Sequence, residues 1–378
     1  MPGVPHPVAP STPGTRSTAV LANVGNYSGP IGSTTLPSLK GSQLWVKYIN
    51  ARGGLNGHQV QLIVLDDGAD PARNQAAVRE AVEKNNVVAF LNNSAEVTGE
   101  ASESYITQKR VPVVGTFGGD SGLYTSPMFF PQTSSADPGV ISAISSIAQQ
   151  AVPAGKTKLG LVVCAEAASC SHTDQIVNQE AKALGLDLVY RAKASITQPD
   201  YTAECLAAQS AGAQVLWILL DTNSVGRVAN SCARQNYRPQ FAASFGIVTD
   251  RLKEDPNFEG MIASSMTFPW FQSGTAATDQ FQAALRQDGD GLSAGVGTAN
   301  GWTAGKLLEL AAAQLPEPPT REAILTGLWS ITDNTLGGIT APLTFHRDQP
   351  APPKSCWFNV AIRKSQWTAP DSYTMHCR

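Results

Sequence analysis

From Thr18 to about residue 245 the chain alternates short apolar runs with amphipathic helical stretches, and this alternation restricts its fold more than any other feature. An apolar strand at 19–24 leads through the loop YSGPIGS (27–33) to a helix from about Leu36 to Ala51. Leu39, Leu44, Val46, Tyr48 and Ile49 give that helix its buried face. Gly53-Gly54 supplies a left-handed stop. A strand at 60–65 closes on Asp66-Asp67, and Asp70 with Pro71 opens the next helix in N-cap and first-turn positions. A strand at 87–91, a helix beginning near Glu96 and a strand at 111–114 complete a first series. After the loop 131–139 a second series reads helix 139–151, strand 159–163, helix 172–184, strand 186–190, helix 200–211, strand 215–220, helix 223–236 and strand 241–243. Continuous apolar strands between amphipathic helices mean a parallel sheet covered on both faces. Two such series predict an α/β protein of two doubly wound, Rossmann-like lobes. The length of 378 residues, more than one core usually supports, agrees.

The remaining segments fit neither lobe alone. Helices near 275–287, 299–314 and 320–330 precede strand-like runs at 343–345 and 357–362. The middle helices are expected to return to the first lobe and the tail to the second. This divides the chain into an N-terminal lobe, 18–134 plus 267–338, and a C-terminal lobe, 135–266 plus 339–378. Three crossings follow, near 132–137, 264–270 and 335–342, each rich in Gly, Pro, Ser or Thr as hinge strands often are. Residues 1–17 read as an extended proline-rich linker. With no signal-peptide core there, the expectation is a leader already removed and a linker tethering the domain to a membrane; the alternative is a cloning remnant.

Six cysteines fall as neighbours: Cys164 with Cys170, Cys205 with Cys232, Cys356 with Cys377. No Cys-x-x-Cys and no histidine in register makes zinc the poorer reading. Local disulfides in an oxidising compartment are expected, against buried free thiols in a cytosolic enzyme. Six cysteines allow 15 connectivities, so nearest-neighbour pairing is a choice among them. A net charge of −3 gives no reason to expect nucleic acid or an anionic membrane as partner. The longest apolar run, 215–220, has the length of a buried strand, far short of a membrane helix.

In an open parallel sheet, ligands bind beyond the carboxyl ends of the strands. In the first lobe those segments are 26–33, 92–95 and 116–120; in the second they are 165–171, 221–223 and 244–246. The first-lobe set is hydroxyls, amides and glycines, suited to hydrogen-bonding a polar head and poor in residues that perform chemistry. Enzyme signatures are missing. The histidines (6, 58, 172, 346, 376) are scattered, Gly119-Asp120-Ser121-Gly122 lacks the spacing of a nucleophile elbow, and there is no Walker loop. The run 295–300 (GVGTAN) breaks the dinucleotide fingerprint at its last glycine, so no cofactor is expected, and no metal site. Asp66-Asp67 reads as turn and cap residues before it reads as an acid pair.

The order SGPIGS (28–33), KGSQLWVKYINARGGLNG (40–57), VQLIVLDDGADPARNQAAVREAV (60–82) and VVAFLNNS (87–94) resembles the leucine/isoleucine/valine-binding protein family, type I periplasmic solute-binding proteins of ABC transporters. The likeness continues in VPVVGTFGG (111–119) and AQVLWILLDTNSVGRVANSCARQNYRPQF (213–241). The resemblance implies two lobes joined by three strands, a small-molecule ligand between them, an ABC permease in the membrane as partner, and a monomer. By position it implies a site of Ser33, Thr34, Asn93, Ser94, Thr116, Phe117, Gly118 and Gly119 from the first lobe. The second lobe would add Ser171 beside Cys170, Asp221, Thr222 and Phe245. Amino-acid binders of the family carry a carboxylate near the position of Phe245 to pair with the ligand's ammonium, and an unpaired buried ammonium costs several kcal/mol. Either Asp221 substitutes or the ligand is no simple α-amino acid. Gly295 and Gly297 are expected to enlarge the cleft, with Phe117, Phe245, Trp270 and Phe271 as aromatic walls, unless the last two pack the hinge. The same fold serves sensing modules, so a signalling role is the alternative to transport.

Overall fold

The structure, a computed structural model, describes residues 16–378 apart from Pro30, Gly119, Asp120 and Ala167. The first fifteen residues of the expected linker therefore lie outside the described residues. In chain order the first series is β1 (Arg16–Gly25), α1 (Gly32–Asn50), β2 (His58–Asp66), α2 (Pro71–Glu83), β3 (Ala89–Asn93), α3 (Glu100–Gln108), β4 (Val113–Thr116) and β5 (Phe129–Phe130). The second is α4 (Ala136–Ala151), β6 (Lys158–Cys164), α5 (Ala168–Glu180), β7 (Asp187–Ala194), α6 (Thr202–Ser210), β8 (Val215–Leu219), α7 (Thr222–Arg234), β9 (Gln240–Ala243) and β10 (Ile262–Ser265). Then follow α8 (Ala276–Asp288), α9 (Val296–Ala311), α10 (Arg321–Trp329), β11 (Cys356–Arg363), β12 (Gln366–Thr368) and β13 (Met375–Cys377).

Two sheets result, one parallel with order β2-β1-β3-β4-β5 and one mixed with order β12-β11-β10-β9-β8-β6-β7, β13 pairing with β11. The fold is the expected α/β arrangement of two doubly wound lobes. β11 runs antiparallel to β10, from Ile262 opposite Ala361 to Ser265 opposite Phe358, which is how the tail joins the second sheet. Helix α9 packs on α1, β3 and β4, and so belongs to the layers around the first sheet. One apolar cluster runs from Leu21, Phe90 and Trp302 through Val248, Phe268 and Val296 into a face of the second sheet. The other face is covered by α4 and α5 through Ile144, Ile147, Leu161, Val177 and Trp217. Burying both faces is what makes the strands of the second sheet so uniformly apolar.

Three connections pass between the sheets, at 131–135, 266–275 and 330–355. They bond to one another: Phe268 N donates to Ile339 O (2.9 Å), Thr340 Oγ1 to Gln132 O, and Cys356 N to Ser134 Oγ (2.8 Å). The cysteines pair as neighbours, Cys164–Cys170, Cys205–Cys232 and Cys356–Cys377.

Some local expectations need correction. The apolar run 343–345 forms no strand; Leu343 makes an isolated bridge to Asn334, and Phe345 is apolar because its ring packs edge-on against Phe130 at 5.2 Å. The helix expected near Glu96 begins at Glu100, after a turn. Gly295 and Gly297 open no space. A Cβ on Gly295 would lie 2.6 Å from Val248 O, and one on Gly297 would lie 3.1 Å from Pro37 Cβ, so both serve close packing against neighbouring backbone.

Candidate functional site

The loops beyond the carboxyl ends of the first sheet are fixed by amides buried in the strand ends. Asn23 Nδ2 donates to the carbonyls of Leu91 (2.9 Å) and Asn92 (2.8 Å), tying β1 to the end of β3. Asn92 has φ 54°, a left-handed conformation that asparagine tolerates, and its Nδ2 donates to Ser38 Oγ (2.8 Å) and Ser42 Oγ (3.0 Å) of α1. Asn93 Oδ1 accepts from Val24 N (3.0 Å), while its carbonyl accepts from Phe117 N (2.8 Å). The side-chain oxygen of Asn93 is thus engaged by the scaffold.

Asp66 and Asp67 are turn organisers, as the plainer sequence reading holds. Asp67, fully buried, accepts from Asn74 Nδ2 (2.8 Å), Thr98 Oγ1 (2.7 Å), Ala69 N (3.0 Å) and the side chain of Asn26. Asp66 accepts from the amides of Tyr27 and Gly68, each at 3.0 Å. Partial burial pushes the Asp66 carboxyl up, but hydrogen bonds from Ser28, Gly68 and Tyr27 outweigh it and leave it below the usual carboxylate range. Tyr27, held in this way, turns its hydroxyl over Gly25 beside the carbonyl of Ser94. Burial raises that phenol far above its ordinary value. Ser94 therefore lies fully buried behind Tyr27.

Among the described residues the lobes meet at three places. Ser33 Oγ donates to Asp221 Oδ2 at 3.3 Å. Gly246, after β9, stands against α1 and β4's loop so closely that a Cβ would lie 2.6 Å from both Thr34 O and Phe117 Cζ. Thr249 bridges to Gly295, with Val296 N donating to Val248 O at 3.0 Å. Between these contacts lies a cavity of about 20 Å³, walled by Phe117 and Gly118 of the first lobe, Phe245 of the second, Asn300 of α9, and Thr133 and Thr267 of two connections. That is room for about one water molecule. A solute of several heavy atoms enters only if the lobes part.

The wall carries hydroxyls. Thr133 Oγ1 and Thr267 Oγ1 are buried with no hydrogen-bond partner among the described residues, as are Thr116 Oγ1 and Ser244 Oγ beside them. A buried polar group left unbonded costs roughly 1–3 kcal/mol, so each such hydroxyl calls for a partner, which water or a bound solute supplies. Phe245 adds backbone strain, with φ 59° in a region that bulky residues avoid. Gly118, at φ 92°, has Glu96 Oε2 2.1 Å from the position of a Cβ.

A family model described as periplasmic binding protein matches residues 19–366. The chain belongs to the periplasmic binding protein family. Comparison with curated proteins finds no matching sequence. Among solved structures it is similar to a fatty acid ABC transporter substrate-binding protein from Thermomonospora curvata, with TM-score 0.77 and 17% identity over 96% of this chain and 94% of that one. It is also similar to a possible leucine/isoleucine/valine-binding protein from Rhodopirellula baltica, with TM-score 0.74, 19% identity and coverage of 97% and 98%. A leucine-binding protein from Thermotoga maritima aligns with TM-score 0.73 and 14% identity over 93% and 97%.

For a periplasmic binding protein, the expected site residues divide clearly. Phe117, Gly118 and Phe245 line the interlobe cavity, and Thr116 adjoins it. Ser33, Thr34 and Asp221 are contact points between the lobes. Asp221 also caps α7, accepting from Asn223 N (2.9 Å) and Ser224 N (3.1 Å), so both its oxygens are engaged. Thr222 Oγ1 is buried with no hydrogen-bond partner among the described residues, whereas Ser171 is drawn to Lys193 Nζ (2.8 Å) beside the Cys164–Cys170 bond. Gly119 lies outside the described residues. Trp270 packs on Trp367 (5.0 Å between ring centres) and donates to Asp250, away from the cavity.

Sequence reasoning missed the cavity-wall residues Thr133, Thr267 and Asn300. The first two stand in connections without periodicity, and only their place in a Ser/Thr-rich crossing hinted at a role. A larger depression of about 440 Å³, lined by Lys156, Arg238 and Arg363 among others, opens at the opposite end of the second sheet, by the N-termini of its parallel strands. It has walls from one lobe only. No described helix is long and apolar enough to cross a membrane.

Proposed function

We propose that this chain is the solute-capturing component of an ABC importer outside the cytoplasm. A small organic molecule with a polar head and an apolar or aromatic body would be enclosed between the lobes, and the closed form presented to a membrane permease. The observation that supports this reading is the cavity whose walls come from both lobes and from two connections, with buried hydroxyls of Thr133 and Thr267 awaiting partners. Phe117 and Phe245 provide its apolar surface. Closure follows because contacts from both lobes to one molecule exist only when the lobes meet, so ligand shifts the population toward the closed state. The similar proteins are named for a fatty acid in one case and leucine in another, which supports an organic solute without choosing its class. Three disulfides suit an oxidising compartment.

The test is a thermal-shift screen over amino acids, fatty acids, aromatic acids, amines and amides, followed by calorimetry. A ligand at 100 times its dissociation constant stabilises by about 2.7 kcal/mol. One or more compounds are expected to raise the melting temperature by several degrees and bind with 1:1 stoichiometry. A flat response across the screen and across an extract of cell metabolites would overturn the proposal.

A further inference from the structure

The depression at the far end of the second lobe encloses about 440 Å³, against about 20 Å³ between the lobes. That lies within the roughly 300–1,000 Å³ of small-molecule sites. Its walls come from turns that lead into parallel strands: Lys156 before β6, Tyr237 and Arg238 before β9, and Glu259 before β10, with Arg363 at the end of antiparallel β11. Three of these five side chains are cations, in a chain whose net charge is −3. None of the three forms an ion pair with a described carboxylate. Glu259 is the one carboxylate in the wall, and its oxygens accept from the amides of Ser365 (3.0 Å) and Lys364 (2.8 Å). Those two bonds hold it below the usual carboxylate range, with a smaller pull from Arg363.

Helix C-termini attract cations, and α4 and α7 end nearby. The carbonyls at those ends are nevertheless met by backbone: Ala151 O accepts from Lys156 N (3.1 Å) and Cys232 O from Tyr237 N (3.0 Å). Arg238 donates instead to Asn257 Oδ1 (3.1 Å) and Arg363 to Ile362 O (2.9 Å). Each guanidinium is thereby oriented, with most of its five donors left for another acceptor. Like charges gathered around one hollow repel one another, and an anion seated among them removes that repulsion. Guanidinium forks match phosphate and carboxylate oxygens in geometry as well as charge. We infer that this depression is a second binding site, separate from the interlobe cleft, for a small organic polyanion carrying phosphate or carboxylate groups. Because its walls belong to one lobe, the open and closed forms bind the anion equally, and its occupancy does not drive closure.

Calorimetric titration of the full chain at low salt tests it, with glucose 6-phosphate and citrate as probes and with glucose and glycerol as their neutral counterparts. At least one anion is expected to bind with 1:1 stoichiometry while the neutral compounds do not, and its affinity falls as salt is added. The double variant Lys156→Gln/Arg363→Gln should weaken binding by at least about 10-fold, since hydrogen bonds from charged groups are the stronger kind. Lys84→Gln removes one charge from the other lobe and should leave the affinity unchanged. Gly246→Ala, whose Cβ would lie 2.6 Å from Thr34 O across the lobe contact, should also leave it unchanged. Melting curves of the ligand-free variants establish that all are folded. No binding by either anion, equal affinity in the double variant, or the same loss in Lys84→Gln overturns the proposal. Sedimentation with phosphatidylglycerol vesicles, without binding of either soluble anion, overturns it too and makes the patch a lipid contact. Each of these outcomes leaves the interlobe cleft to be judged by its own screen.

Discussion

Replacing Gly246 by alanine adds one methyl group at the place where the two lobes touch. That Cβ would lie 2.6 Å from Thr34 O and 2.6 Å from Phe117 Cζ. Ordinary contact begins at roughly 3.5 Å, so each neighbour must retreat by about 1 Å. The phenylalanine ring can turn aside. The carbonyl of Thr34 cannot, because it belongs to the first turn of α1, where Thr34 N bonds back to Ile31 O at 2.9 Å. The strain therefore falls on the approach of one lobe to the other. Overfilling a packed contact costs about 1–3 kcal/mol. Only the closed form bears it, since Gly246 faces nothing of its own lobe at that distance. Ligand affinity should fall roughly 5- to 150-fold by calorimetry, at 1.4 kcal/mol per factor of ten. The melting temperature of the ligand-free protein should change little. Gly226→Ala is the control: nothing lies within 4 Å of that Cβ, on α7, so affinity should stay unchanged and stability rise by about 0.5–1 kcal/mol. Equal affinity for Gly246→Ala and wild type, both folded, would refute the reasoning that capture requires the lobes to meet at Thr34.

Further outcomes follow from the same geometry. Thr267→Val deletes a buried, unbonded hydroxyl; the ligand-free protein should melt no lower, while ligand binding weakens by about 0.5–1.5 kcal/mol if the hydroxyl contacts the solute. Removing Cys205–Cys232 by double alanine substitution frees a loop of sequence separation 27, and urea unfolding should show a loss of about 3 kcal/mol, more than for Cys164–Cys170 with separation 6. The acid of Glu96, raised by burial to about 7, favours the folded state when protonated. That contribution is full below the unfolded value near 4.5 and is lost as pH rises through about 7. Glu96→Gln should therefore abolish this decline and be the more stable protein above pH 7 in urea titrations.

Local patterns carried much of the architecture. Period and capping placed α2 and α7 well, because Asp70 and Asp221 accept from helix amides as their positions predict. Nearest-neighbour cysteines paired because each pair lies within one local unit. Other features had no local signature. β10 (IASS) is short and made of small residues, and becomes a strand only because β9 and β11 flank it. Gly295 and Gly297 looked like space because a missing side chain reads as a gap; in three dimensions the gap is filled by Val248 and by α1. Contacts such as Ser33 with Asp221 join residues far apart in sequence, so no window of sequence encodes them. Glu96 read as the start of a helix, but α3 begins at Glu100 and the Glu96 carboxylate lies against Gly118, a contact no local pattern encodes.

Small-angle X-ray scattering of the full chain, with and without the compound found by thermal shift, addresses the clamp itself. The radius of gyration should fall on saturation, and the liganded curve should match this structure's closed arrangement. Identical scattering from both samples, at ligand concentrations that calorimetry shows to be saturating, would mean that the lobes do not move to hold their solute.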